Sequence, residues 1–108
     1  MCSYRNMTKG EMTFRSAYFV GIGGIGMSAL AQYLKDHGVT VTGSDRESSP
    51  VTELLESKGV AVFIGQKAGQ VSVNTEVLIY SDAVSSENPE RARAKELGIP
   101  QCSYFEML

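Results

Sequence analysis

The chain has 108 residues, 43% of them apolar and 20% charged, with a formal net charge of −2, which suits one compact soluble domain and is too short for two separate cores. That charge gives no electrostatic reason for a nucleic-acid or anionic-membrane partner. Arg91, Arg93 and Lys95 are interrupted by Glu90 and Glu96, the pattern of a solvated helix face.

Residues 1–15 show no sustained period and read as a flexible leader, with residues 16–108 as the folded domain. An apolar run at 17–31 follows Arg5, Lys9 and Arg15 and ends in Ala29-Leu30-Ala31, which imitates a secretory signal. Four glycines interrupt that run, and it is too short to cross a bilayer. Residues 17–21 form a continuous apolar strand of the kind buried in parallel sheets. Residues 26–37 follow as a helix carrying Met27, Leu30, Ala31 and Leu34 on one stripe and closed by Gly38. Residues 40–44 are a β-branched second strand. Ser49-Pro50 supplies an N-cap and an N1 proline for a helix burying Val51, Leu54 and Leu55, stopped by Gly59. Residues 61–64 are a third strand, 65–75 a polar loop and 77–80 a fourth strand. Asn88-Pro89 starts another helix ending at Gly98, and 100–102 is a short fifth strand. Ser103 with Glu106 has capping-box spacing, as though a further helix begins there and the chain is a piece of something longer. The order implies an α/β fold, a Rossmann-like parallel sheet of about five strands with helices on both faces.

The stretch from Gly21 to Ser28 carries the chemistry. It holds G-x-G-x-x-G at Gly21, Gly23 and Gly26, directly between a strand and a helix. In that context the first glycine allows a tight turn, the second lets a phosphate approach the main chain, and the third lets helix and strand pack closely. The helix N-terminus then presents unpaired N–H groups to a diphosphate. A side chain at Gly23 is expected to obstruct the ligand while leaving the fold largely intact. Asp45, 19 residues after Gly26, ends the second strand where a carboxylate can accept from ribose hydroxyls. No catalytic constellation is visible. His37 has no metal partner at ligand spacing and reads as a dipole contact at a helix C-terminus. Ser28 lacks the G-x-S-x-G elbow, and no phosphate loop of the G-x-x-x-x-G-K-[ST] type exists. Cys2 and Cys102 read as two reduced thiols.

The string from Phe19 to Ala31 resembles the bacterial cell-wall Mur ligases, in particular their alanine-adding branch. The likeness continues through Val41-Thr42-Gly43-Ser44-Asp45 and Pro50-Val51-Thr52-Glu53-Leu54. It resumes at Tyr80-Ser81-Asp82-Ala83-Val84, Asn88-Pro89-Glu90 and Phe105-Glu106-Met107-Leu108. The resemblance implies a cytoplasmic, ATP-dependent ligase of peptidoglycan precursor synthesis, of which this is the N-terminal domain. It implies that this domain holds the UDP moiety of UDP-N-acetylmuramic acid, with ATP and Mg²⁺ belonging to the remaining ligase domains and no cofactor or catalytic residue in this part. By position, main-chain groups of Gly23, Gly24, Ile25, Gly26 and Met27 would face the diphosphate, with the Ser28 hydroxyl nearby. Ser44 and Asp45 would meet the ribose or uracil. Ser81, Ala83 and Val84 would border the uridine or sugar. Gln66 stands where the family often has a histidine near the base. The competing reading of the same glycine loop is an NAD-binding Rossmann domain of an oxidoreductase or regulatory module.

Overall fold

The structure, a computed structural model, describes residues 14–107. The leader expected at residues 1–15 lies outside the described residues as far as residue 13. Phe14, assigned to it, is 4% exposed and packed into the core. A single aromatic ahead of a strand has no period to betray it, and it buries because the sheet begins two residues later.

The elements run β1 (Ser16–Val20), α1 (Ile25–Asp36), β2 (Thr40–Asp45), α2 (Pro50–Ser57), β3 (Ala61–Ile64), a 3₁₀ turn (Ala68–Gln70), β4 (Val77–Tyr80), α3 (Pro89–Glu96), β5 (Gln101–Ser103) and α4 (Tyr104–Met107). They form one five-stranded sheet in the order β3-β2-β1-β4-β5, with every pair parallel. Strand alternation explains the layers. Ala17, Phe19, Val77 and Ile79 face one side, where Met27, Ala31 and Leu34 of α1 and Leu55 of α2 cover them. Tyr18, Val20 and Leu78 face the other, packed with Val71, Ala94 of α3 and Ile99.

Local chemistry sets the helix ends. Ser49 Oγ accepts from Thr52 N at 3.2 Å while Thr52 Oγ1 accepts from Ser49 N at 2.8 Å. Ser103 and Glu106 make the same reciprocal pair ahead of α4, at 2.9 and 3.2 Å. Leu54, expected in the core, is half exposed, while Leu55 is fully buried. Successive helical residues point about 100° apart, and with Thr52 and Leu55 turned inward Leu54 is carried to the edge of the buried face. Cys102 is buried and disulfide-bonded rather than a reduced thiol, a pairing that sequence spacing does not reveal; Cys2 lies outside the described residues. Among the described residues no helix is long and apolar enough to cross a membrane.

The leucine pair gives a stability test. Leu55→Ala should cost about 2–5 kcal/mol by leaving a cavity between α2 and the sheet, and Leu54→Ala should cost under about 1 kcal/mol. Urea denaturation of the two variants checks this; equal costs would mean α2 is rotated from the orientation described.

Candidate functional site

A cleft of about 590 Å³ opens at the carboxyl ends of the strands. Gly21 and Gly24 line it after β1, Asp45 and Arg46 at the end of β2, and Gln66 after β3. Ser81, Ala83, Val84 and Ser85 line it after β4, with Glu87 and Asn88 just ahead of α3. The cleft therefore spans β1, on one side of which the chain lays down β2 and β3 and on the other β4 and β5. That reversal parts the two neighbouring loops and opens a crevice between them.

The glycine loop is anchored before any ligand arrives. Gly21 takes the left-handed turn at φ 86°, and its N–H and that of Ile22 both donate to the Ser44 carbonyl at 2.9 Å. Gly23 N donates to Asp45 Oδ2 at 2.8 Å, and Gly24 N to the Gly21 carbonyl at 3.3 Å. Three N–H groups in the first turn of α1, those of Ile25, Gly26 and Met27, have no hydrogen-bond partner among the described residues. They are the amides a helix N-terminus leaves for an anion. The Met27 side chain is in the core, and the Ser28 hydroxyl donates to the Ile25 carbonyl at 2.9 Å.

Two glycines of the motif answer to the protein's own side chains. A Cβ on Gly23 would stand 2.7 Å from Asp45 Oδ2 and 3.1 Å from Thr52 Cγ2. One on Gly26 would stand 2.5 Å from the Tyr104 hydroxyl. The expectation that a side chain at Gly23 obstructs only a ligand is thus corrected: it also displaces the carboxylate holding the loop. Asp45 is correspondingly a latch, with Oδ1 accepting from Arg46 N at 2.8 Å.

Ser44 is not at the cleft surface. It is fully buried, and its hydroxyl donates to Glu90 Oε1 at 2.5 Å. Strand alternation turns it to the face opposite the one expected, so its contribution to the loop is its carbonyl oxygen. Gln66 does line the cleft; its Oε1 accepts from Asn88 Nδ2 at 2.8 Å, and its own Nε2 has no hydrogen-bond partner among the described residues. Asn88 caps α3 at the same time, accepting from Glu90 N at 2.9 Å. His37 lies away from the cleft, its Nδ1 2.8 Å from the Tyr33 carbonyl oxygen and its ring stacked on that tyrosine.

Glu90 and Arg91 were expected on a solvated helix face, and neither is there. Glu90 is fully buried and accepts from Tyr18 Oη at 2.5 Å, Gln70 Nε2 at 2.8 Å and Lys67 N at 3.3 Å, besides Ser44. Burial, and next the hydrogen bond to Glu90, push the Tyr18 phenol well above its ordinary range, so it serves as a neutral donor. The Arg91 guanidinium lies 3.5 Å over the Tyr80 ring and donates to the Val84 carbonyl at 3.1 Å, which fixes the loop after β4. A signal for Glu90 was present: it stands at i, i+4, i+7 with Ala94 and Leu97, the stripe α3 turns to the sheet.

The latch makes a specific prediction. Asp45→Ala should destabilise the ligand-free chain by about 1–3 kcal/mol, since Gly23 N loses its partner. Gly23→Ala should cost a similar amount in the parent but clearly less in the Asp45→Ala background, where the clashing carboxylate is gone. Denaturant unfolding of the four proteins measures the coupling, and strict additivity would show that the latch does not form.

The chain is similar in sequence and fold to known proteins. The chain is 45% identical over 94 residues to a UDP-N-acetylmuramate–L-alanine ligase of Sulfurihydrogenibium sp., an alignment covering 87% of this chain and 20% of that protein. It matches the crystal structure of a UDP-N-acetylmuramate–alanine ligase from Thermotoga maritima with TM-score 0.79 and 35% identity, over 82% of this chain and 20% of that one. It also matches a UDP-N-acetylmuramate:L-alanyl-γ-D-glutamyl-meso-diaminopimelate ligase from Neisseria meningitides with TM-score 0.76 and 26% identity, over 85% and 29%. The chain spans about a fifth of the length of the curated relatives it matches. The family described as Mur ligase family, catalytic domain, matches residues 16–108, which takes in every strand, the glycine loop and the whole cleft, and the chain belongs to that family.

Proposed function

We propose that this chain is the N-terminal, substrate-holding domain of an alanine-adding Mur ligase, and that its cleft takes the uridine diphosphate part of UDP-N-acetylmuramic acid. The observation that carries the reading is the juxtaposition of two unlike surfaces. Directly after Gly24, which lines the cleft, come the unpartnered amides of Ile25, Gly26 and Met27, suited to a diphosphate. The lining after β3 and β4 offers Gln66, Ser81, Ala83 and Val84, uncharged side chains suited to a flat base and its sugar, with Glu87 the one carboxylate among the lining residues there. The Gln66 amide nitrogen is a donor for a uracil carbonyl. Gly24 borders the diphosphate, and Asp45 reaches the ribose while it holds the loop.

In the reaction that the family resemblance implies, the muramic-acid carboxylate would take the γ-phosphoryl group of ATP with release of ADP, and the amine of L-alanine would then displace phosphate from the acyl phosphate to form the amide. Among the described residues no group of three His, Cys, Asp or Glu side chains could hold a metal ion, and the sequence has no P-loop. The same resemblance assigns ATP and Mg²⁺ to the remaining ligase domains, and this chain's share is to bind and orient the nucleotide sugar. A cytoplasmic location follows from the same reading, because that is where ATP is supplied.

The rival reading is an NAD site. It would use the same α1 amides for its diphosphate and Asp45 for its ribose, so the two readings differ in what the wall after β3 and β4 must meet. Calorimetric titration separates the two readings: UDP and UDP-N-acetylmuramic acid should bind more tightly than NAD. NAD binding at least about tenfold tighter than either uridine ligand, about 1.4 kcal/mol, would hand the site to the oxidoreductase reading.

A further inference from the structure

We propose that Glu90 is the positioning residue for the base side of the cleft: it fixes the segment that carries Gln66, although it touches no ligand itself. This rests on the reading of the cleft as a uridine-diphosphate site. Glu90 is fully buried on α3, yet its bonds go to Tyr18 of β1, to Ser44 of β2, and to Lys67 N and Gln70 Nε2 in the segment after β3. Gln70 Nε2 donates also to the Gly65 carbonyl at 3.0 Å. Gln66 thus sits in a span tied on both sides, by the Gly65–Gln70–Glu90 bridge and by Lys67 N. The same helix start holds the Gln66 side chain through Asn88 Nδ2 at 2.8 Å.

The chemistry argues for positioning over simple stability. An apolar side chain at this point of the stripe would avoid the desolvation cost of a buried carboxylate and often stabilises as well. What an apolar residue cannot do is gather donors from three separate segments onto one pair of oxygens. The cleft depends on such gathering, because β3 is a largely exposed edge strand and packing alone holds the segment after it weakly.

The test uses the 108-residue chain and the variants Glu90→Gln, Glu90→Ala and Gln70→Leu. Three quantities are read: affinity for UDP, affinity for inorganic pyrophosphate, and amide hydrogen exchange at Lys67 without ligand. Glu90→Gln keeps one oxygen for the donors and offers its NH₂ to the Ser44 hydroxyl, so it should stay near the parent in all three. Gln70→Leu should weaken UDP binding by about tenfold, leave pyrophosphate within about twofold, and speed Lys67 exchange. Glu90→Ala should do the same more strongly; if it fails to fold, Gln70→Leu decides. A lowered melting temperature with both ligands affected alike, or with Lys67 exchange unchanged, overturns the proposal. If the parent binds no UDP, the reading of the cleft fails on its own, and the exchange measurements alone then decide the role of Glu90.

Discussion

The constraint on which the rest depends is that β1 must be buried on both faces. Tyr18, Phe19 and Val20 are each at most 1% exposed, which is possible only with a strand on either side and a covering layer above and below. β2 and β4 supply the flanks; α1 with α2 covers one face, and α3 with the segment around Val71 covers the other. The chain leaves β1 into this crowding and turns at once, with Gly21 in the left-handed region and its amide on the Ser44 carbonyl. The turn aims α1 across the sheet with its N-terminus at the strand ends. The cleft is a consequence of that path.

A second consequence is a polar centre within an otherwise apolar layer. Tyr18 brings a hydroxyl into the face that α3 covers, and a buried hydroxyl without a partner costs about 1–3 kcal/mol. Glu90 answers it and also takes Ser44, Lys67 N and Gln70, so that no buried side-chain polar atom lacks a partner among the described residues. Because Tyr18 stays protonated, it joins Ser44, Lys67 N and Gln70 as a fourth donor to the Glu90 oxygens. A carboxylate that collects four hydrogen bonds offsets much of its desolvation, and it ties elements that apolar contact alone would let slide.

The strands and helices were legible because their signals are local. Asn88-Pro89, Ser49-Pro50 and the Ser103–Glu106 spacing mark helix starts, and Ala17 to Val20 could only be a strand buried on both faces. The glycine loop located the cleft for the same reason. What escaped were residues whose role depends on partners far along the chain. Ser44 is a neighbour of Asp45 in sequence but turns to the opposite face, toward a carboxylate 46 positions away. Glu90 and Arg91 look like members of a charged run, and only the tertiary fold places one beneath the sheet and the other over Tyr80. Phe14 carried no period at all.

The glycine motif itself is easy to over-read as a ligand's imprint. Of its three glycines, one makes the turn, one leaves room for the Asp45 carboxylate and one for the Tyr104 ring. Each would be required of the folded chain even if nothing bound. What the loop offers an anion is narrower: three amides at the start of α1, beside a cleft in which Arg46 is the one cationic side chain among the described residues. Such amides position a diphosphate well but attract it weakly, since their partial charges compete with water at an open mouth. Selectivity must then come from the wall after β3 and β4, where Gln66 and the loop from Ser81 to Val84 are held from behind by Asn88, Glu90 and Arg91. On the proposed reading the loop would locate the diphosphate, and α3, which holds that wall from behind, would decide how well the base is met.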